Sequence, residues 1–295
     1  MIRKTTDNDA AGKQMEPTKS AAIGWAATGL AVVLAAAPAW ARTPYILPNT
    51  FNPERAQVTL QGATTEDDYF NPDGALNAPD YLSTLPSGQQ TRIVPAARLR
   101  DMVVTEAALQ EAGTYRFSTG QMVTRTADFA NVAGRWLPIR EPRGPRPAIP
   151  TFVPEAEVPA GAARMKSDSV MVVETYVSKG APTEAALKTS GQGFELKPVN
   201  HPNAVYVDQG FAFQLLADGQ PAAGAAIAVY RSGNIYDDRR IAAEQKSDAK
   251  GMTKIAFAQP GVYLLTARYP VGPRAPGEAP PAKTYTYSLT FEVTR

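Results

Sequence analysis

The sequence predicts an all-β fold made of two β-sandwiches in tandem, and three observations carry this prediction. Short runs in which apolar and polar residues alternate recur along the chain, as in half-buried strands, for example at 170–177, 262–269 and 285–291. Turn dipeptides such as Asp218-Gly219 and Lys250-Gly251 separate these runs. The 295 residues also include 22 glycines and 26 prolines, a share that favours turns over helices.

The first 41 residues are predicted to be a secretory signal peptide. Lys19 precedes an alanine-rich apolar run at 21–37, and Ala39-Trp40-Ala41 then has the small–large–small pattern of a cleavage site. Pro38 and the weak hydrophobicity of the run argue against a membrane anchor. We therefore expect cleavage after Ala41 and no integral membrane segment in the mature chain.

Composition limits what the mature chain can do. It would begin at Arg42, whether translation starts at Met1 or at Met15. The absence of cysteine excludes disulfides, thiolate metal sites and cysteine nucleophiles, and an exported chain of this kind fits the periplasm of a Gram-negative bacterium. The formal net charge of +2 argues against a nucleic-acid partner, because nucleic-acid-binding proteins usually carry a clustered basic excess.

A weak internal repeat predicts two sandwiches. Leu109-x-x-x-Gly113-x-Tyr115 recurs as Phe257-x-x-x-Gly261-x-Tyr263. An apolar residue followed by Gly and Tyr resembles the tyrosine corner of Greek-key sandwiches, in which the Tyr hydroxyl hydrogen-bonds to the backbone a few residues upstream. The alternative is that both copies are ordinary strand entries.

A proline-rich segment at 137–161 helps to place the domains. Its seven prolines exclude a central strand, and strand-like runs resume at Val170. We therefore expect an N-terminal sandwich domain at 42–198 that contains this segment as a loop, and a C-terminal sandwich domain at 199–295. The arginines of the segment indicate either a surface loop or a basic arm for an acidic partner; they are Arg135, Arg140, Arg143 and Arg146.

Several segments, taken in order, carry a family resemblance. They are 43–48 (TPYILP), 65–73 (TEDDYFNPD), 113–116 (GTYR), 176–183 (YVSKGAPT), 195–202 (ELKPVNHP), 218–225 (DGQPAAGA) and 260–265 (PGVYLL). The chain resembles an exported all-β bacterial family of unknown function that is often described as the periplasmic component of a cobalt/nickel ABC-type uptake system. The resemblance implies an immunoglobulin-like or transthyretin-like C-terminal sandwich and a link to divalent metals.

The chain departs from the family at its predicted mature N-terminus. Family members typically carry a His there, which can bind copper or nickel through its ring and its free amine. The equivalent position in this chain is Arg42, whose guanidinium stays protonated and cannot coordinate a metal.

The candidate metal ligands are Glu66, Asp68, Asp73 and His201. The acidic cluster around Asp68 could bind a hard cation such as Ca²⁺, although its spacing does not match an EF-hand loop; alternatively, it is a solvated turn. His201 is the single histidine and could add one imidazole ligand for Ni²⁺ or Co²⁺; alternatively, it is a loop histidine that is hydrogen-bonded to the backbone.

The other charged residues do not form a recognisable catalytic motif. Asp237-Asp238-Arg239-Arg240 indicates a solvated hairpin with internal charge pairing, because adjacent strand residues face opposite sides. No G-x-S-x-G nucleophile motif occurs. We expect a non-enzymatic periplasmic binding or accessory protein that is linked to Co/Ni uptake and works with an envelope transport or receptor protein. The alternatives are a structural or protein-interaction module of the cell envelope and a glycan-binding module.

Overall fold

The all-β fold class is confirmed. The structure, a computed structural model, describes residues 42–66, 69–144, 149–233, 241–272, 275 and 277–295, so the predicted signal peptide lies outside it. In these ranges the helical segments are two short 3₁₀ turns, Glu155–Glu157 and Ala185–Leu187. No helix of the described chain is long and apolar enough to cross a membrane.

The N-terminal sheet is antiparallel. Its strands are β1 (Thr43–Pro48), β2 (Gln57–Thr65), β3 (Gly74–Ala75), β6 (Ala97–Arg98) and β7 (Val103–Ala108). They lie in the order β1-β2-β7-β6, with β3 beside β2.

The largest sheet runs through both predicted domains. Its strands are β4 (Tyr81–Thr84), β5 (Gln90–Ile93), β8 (Gly113–Ser118), β9 (Met122–Val132), β10 (Arg135–Pro138), β11 (Arg164–Lys179), β13 (Val205–Tyr206), β16 (Ala226–Arg231), β17 (Ala243–Lys246), β19 (Gly261–Tyr269) and β20 (Lys283–Thr294). The main path is β17-β16-β19-β20-β11-β8-β4-β5, and we call this the central sheet.

A smaller C-terminal sheet completes the fold. It contains β12 (Phe194–Pro198), β14 (Phe211–Ala217), β15 (Gln220–Pro221) and β18 (Met252–Ile255). The order is β12-β14-β15, with β18 also paired to β14.

Strand β11 joins the two halves of the chain. It pairs in parallel with β20, with Val172 opposite Tyr287. Successive side chains of a strand point to opposite faces, and here Val172 lies in the C-terminal core while Val173 lies in the N-terminal core. The two cores therefore lie on opposite faces of one shared sheet. The division into domains at 42–198 and 199–295 stays a prediction.

Both predicted tyrosine corners are confirmed. The Tyr115 hydroxyl donates to the Glu111 carbonyl at 3.0 Å and accepts from the Glu111 backbone N–H at 2.9 Å. The Tyr263 hydroxyl donates to the Gln259 carbonyl at 2.7 Å. Gly113, which precedes the first of these tyrosines, has φ of 123°, a value that glycine adopts without strain.

The proline- and arginine-rich segment packs against the β9–β10 hairpin as a surface loop. Leu137 and Val153 form a small apolar cluster with Ala130 of β9. The Arg140 guanidinium lies 4.5 Å from the centre of the Phe152 ring, a cation–π contact. The interpretation as a surface loop is therefore favoured for the described part; Arg146 lies outside the described residues.

Candidate functional site

His201 lies in a turn that the structure places against the N-terminal half of the chain. Its Nε2 atom is 3.0 Å from the Thr114 Oγ1 atom of β8 and 3.2 Å from the Thr183 carbonyl oxygen. Its Nδ1 atom accepts a hydrogen bond from the Asn203 backbone N–H at 3.0 Å. Both ring nitrogens are therefore engaged.

These contacts determine the protonation state of the ring. Because Nδ1 accepts a hydrogen bond from a backbone N–H, the neutral ring carries its proton on Nε2 and donates it to Thr114 or Thr183. Burial lowers the pKa of His201 from its usual value of 6.5, and this effect is opposed by the Thr183 carbonyl and the charge of Glu184. Folding therefore favours the neutral form of His201.

Hydroxyl and amide groups extend this arrangement into β11. The Thr114 hydroxyl lies 2.9 Å from the Ser178 Oγ atom, and the Ser178 hydroxyl donates to the Asn203 side-chain oxygen at 3.0 Å. The Asn203 amide then donates to the Tyr176 carbonyl at 2.9 Å. Backbone and side chain of Thr114 and Thr183 also exchange two hydrogen bonds, at 2.9 and 3.0 Å.

We call this group the His201 cluster; its members are Thr114, Ser178, Thr183, His201 and Asn203. It joins β8, β11 and two turns that are distant in sequence. Three of the segments that carry the family resemblance, 113–116, 176–183 and 195–202, meet here. The Gly-Thr-Tyr-Arg and Asn-His-Pro motifs were visible in the sequence. Their contact was not predictable from the sequence.

A cleft of about 530 Å³ opens beside the cluster. Its walls include His201 and the apolar residues Leu187 and Val199. Two positively charged residues, Lys188 and Lys197, and one negatively charged residue, Glu184, also line it. The cleft is thus partly apolar and carries a small excess of positive charge.

We call residues 66–73 the acidic loop. The described part of this loop has different partners from the His201 cluster and contacts Arg42. The Arg42 Nε atom is 3.6 Å from Glu66 Oε1 and 3.7 Å from Asp73 Oδ1. Asp73 Oδ1 also accepts the Thr64 hydroxyl at 2.7 Å, whereas Asp73 Oδ2 is buried without a hydrogen-bond partner. The Arg42 guanidinium lies over Gly74, where an added Cβ would come within 3.2 Å of Nη1. The positive charge of Arg42 therefore lies beside both carboxylates.

Aromatic residues dock the acidic loop on the C-terminal half of the chain. The Tyr69 ring stacks on the Tyr230 ring at 4.4 Å, and the Gly233 N–H donates to the Tyr69 carbonyl at 3.0 Å. The Tyr45 and Phe70 rings meet edge to face at 5.0 Å. Gly233 leads directly into the segment that holds Asp237-Asp238-Arg239-Arg240, which lies outside the described residues.

Of the predicted metal ligands in the described ranges, Glu66 and Asp73 lie together, whereas His201 has a different set of partners. Glu66 and Asp73 share Arg42, the hydrogen bonds of His201 go to the His201 cluster, and Asp68 lies outside the described residues. Within the described ranges, no three His, Asp or Glu side chains are grouped so that they could hold a metal ion. The predicted metal site stays a prediction.

Sequence reasoning missed a buried carboxylate that contacts an arginine of the N-terminal half and a tyrosine of the C-terminal half. Glu174 of β11 is only 7% exposed, and its Oε2 atom accepts the Tyr287 hydroxyl at 2.7 Å. The Arg116 Nε atom lies 3.9 Å from Glu174 Oε1. Burial and the charge of Glu174 raise the pKa of Tyr287 well above its usual value. The available signal was a carboxylate within the apolar run at 170–177.

One protein-family model covers all of the segments that carry the family resemblance. A family model described as "Domain of unknown function (DUF4198)" matches residues 39–271. The chain belongs to this family. The match includes the acidic loop and the His201 cluster, so the two candidate sites of this DUF4198 protein both lie inside the family domain. The expected membership of an all-β family of unknown function is confirmed, and its description as a cobalt/nickel uptake component stays a prediction.

Other comparisons are sparse. No curated protein matches this DUF4198 chain. Among solved structures, it is similar to one described as "Biofilm associated protein - BSP domain", with 11% identity and a TM-score of 0.18. The similarity covers 85% of this chain, which spans only 29% of that structure.

Proposed function

We propose that this DUF4198 protein is an exported, non-enzymatic binding or accessory protein of the cell envelope. The observation that supports the proposal is the hydrogen bond that His201 Nδ1 accepts from the Asn203 backbone N–H, because it assigns the proton of the neutral ring to Nε2. A general base must offer an unprotonated nitrogen to a nearby hydroxyl, but the nitrogen that faces Thr114 is the one that carries the proton. The hydroxyls of Thr114 and Ser178 join strands to turns. We therefore assign the His201 cluster a structural role and assign binding to the surface of the protein.

The first test concerns export and partners. The full chain, produced in a Gram-negative host, is expected in the periplasmic fraction with Arg42 as its first residue, as N-terminal sequencing would report. Chemical crosslinking in that fraction should then join it to an envelope transport or receptor protein. A chain retained in the cytoplasm would contradict export. A periplasmic chain that stays free and monomeric would contradict the accessory role.

A divalent-cation site at the acidic loop is the second candidate function, because two carboxylates and a hydroxyl meet there. Glu66, Asp73 and Thr64 present the oxygen ligands that hard cations prefer, and Asp73 Oδ2 is buried without a hydrogen-bond partner. Arg42 now supplies the positive charge, so a metal ion would have to displace its guanidinium. This candidate would connect the chain to cobalt or nickel uptake.

Calorimetric titration of residues 42–295 with Ni²⁺, Co²⁺ and Ca²⁺ tests the metal candidate. We expect Arg42→Gln to strengthen binding and Asp73→Asn to abolish it, whereas Asp208→Asn, an exposed carboxylate elsewhere, serves as the matched control. His201→Gln tests whether the imidazole is a ligand as the sequence predicted. Absence of binding tighter than about millimolar, a weak affinity for a protein calcium site, would remove this candidate.

A further inference from the structure

The connection between β5 and β6 exposes apolar side chains to solvent. Val94 is 80% exposed, the highest value for a large apolar residue among the described residues, and Leu99 is 54% exposed. Isolated apolar side chains on a surface are normal, but these two lie five positions apart. We call residues 92–100 the 92–100 tip.

The fold holds these side chains outward on ordered backbone. Ile93 packs against the N-terminal core, so strand alternation turns Val94 away from the core, and Pro95 follows it. Leu99 is held by the hydrogen bond from its N–H to the Met102 carbonyl at 2.8 Å, which closes the turn between β6 and β7.

The tip also lies at the edges of two sheets. Within the described residues, β5 is the last strand on its side of the central sheet, and β6 is the last strand of the N-terminal sheet. The chain crosses from one edge to the other through Val94 and Pro95. The segment therefore stands at the edges of two sheets, where its exposed side chains are accessible to a flat surface such as a membrane.

Arginines flank the two apolar residues in the sequence. Arg98 is exposed, and the Arg100 side chain is 96% exposed, with its Nε atom 4.0 Å from Asp101. Arg92 is paired with Asp80 at 2.9 Å. Residues 90–101 contain three arginines and one aspartate, so the tip combines two aliphatic side chains with net positive charge.

We propose that the 92–100 tip docks the protein on an anionic lipid surface. The aliphatic side chains of Val94 and Leu99 would enter the headgroup layer, while Arg98 and Arg100 pair with lipid phosphates. Stable membrane association usually takes two weak signals together, and the tip carries one apolar and one basic signal. Exposed guanidinium groups beside exposed aliphatic residues match the phosphates and the apolar layer of an anionic membrane. The inference goes beyond the proposed function and requires no metal.

Vesicle flotation tests the proposal with the protein of residues 42–295. We expect it to float with vesicles of phosphatidylcholine and phosphatidylglycerol at low salt, and not with phosphatidylcholine alone. High salt should release it, because salt screens the arginine–phosphate attraction. Each change, Val94→Ser with Leu99→Ser or Arg98→Gln with Arg100→Gln, should lower the vesicle partition coefficient about tenfold or more.

A matched control separates docking at the tip from general hydrophobicity. Val123→Ser with Ile149→Ser removes two apolar side chains that are 56% and 69% exposed elsewhere, and it should leave flotation unchanged. Circular dichroism must show the same strand content for all variants. Absence of flotation, equal loss in the control, or full binding by the Val94/Leu99 variant would overturn the proposal. Capture of a soluble protein by the tip without vesicle binding would also overturn it.

Discussion

The Nε2 atom of His201 lies 3.0 Å from the Oγ1 atom of Thr114, a residue 87 positions earlier in the chain. This contact ties the turn before the C-terminal strands to β8, on the N-terminal side of β11. Since Ser178 and Asn203 continue the same hydrogen-bonded group, a single polar cluster connects parts of the chain that meet only in the folded state.

Loss of the imidazole should destabilise the protein. His201→Ala removes the acceptor of the Asn203 N–H and the donor to Thr183, in a partly buried place. We expect the free energy of unfolding to fall by about 1–3 kcal/mol, which is typical when buried polar groups lose their partners. Urea unfolding at pH 7.5 measures the change. Lys197→Ala, on the same cleft but exposed, is the matched control, and equal stability of the two variants would contradict the structural role.

Stability should also depend on pH through His201, the single histidine of the chain. Burial lowers its pKa below 6.5, so the unfolded chain binds the proton more readily than the folded chain. The contribution of His201 is therefore fully present above about pH 6.5 and is lost as the pH falls through that value towards the folded pKa. Melting temperatures between about pH 7 and pH 5 should decrease more steeply for the wild type than for His201→Gln. Parallel curves would show that the histidine does not titrate on unfolding.

The two tyrosine corners should each contribute to stability. Tyr115→Phe and Tyr263→Phe keep the buried rings and remove only the hydroxyls that bond to Glu111 and Gln259. We expect Tyr263→Phe to lower the free energy of unfolding by about 1 kcal/mol, the usual net contribution of one hydrogen bond, and Tyr115→Phe, which loses two hydrogen bonds, by about 2 kcal/mol. Tyr206→Phe removes an exposed hydroxyl and should have no effect in the same urea titration. A similar loss in all three variants would argue against the corners.

Gly251 should tolerate alanine worse than Gly161 does. Both glycines have positive φ, 71° and 75°, so alanine is strained by about 1–2 kcal/mol at either position. At Gly251 the new methyl group would also collide with the Leu215 carbonyl oxygen, whereas no atom lies within 4 Å at Gly161. Thermal unfolding should therefore show a clearly larger loss for Gly251→Ala. Equal melting temperatures would mean that the backbone near Leu215 yields without cost.

Local features of the structure follow from local sequence. The turn at Asp218-Gly219 has positive φ at both residues, 48° and 78°, as this dipeptide favours in tight hairpins. Alternation of apolar side chains predicted strands β19 and β20, and the Gly-x-Tyr spacing predicted both tyrosine corners. Each of these signals depends on residues only a few positions apart.

The sequence by itself therefore determined the all-β class, many strands and turns, and membership of the DUF4198 family. Only the tertiary structure decided that β11 pairs in parallel with β20 between two cores, that His201 contacts Thr114, and that Glu174 lies buried beside Arg116. The physical reason is that side-chain periodicity and turn geometry are set by neighbouring residues. Strand pairing and the partners of polar groups depend instead on which distant segments share a sheet or a core.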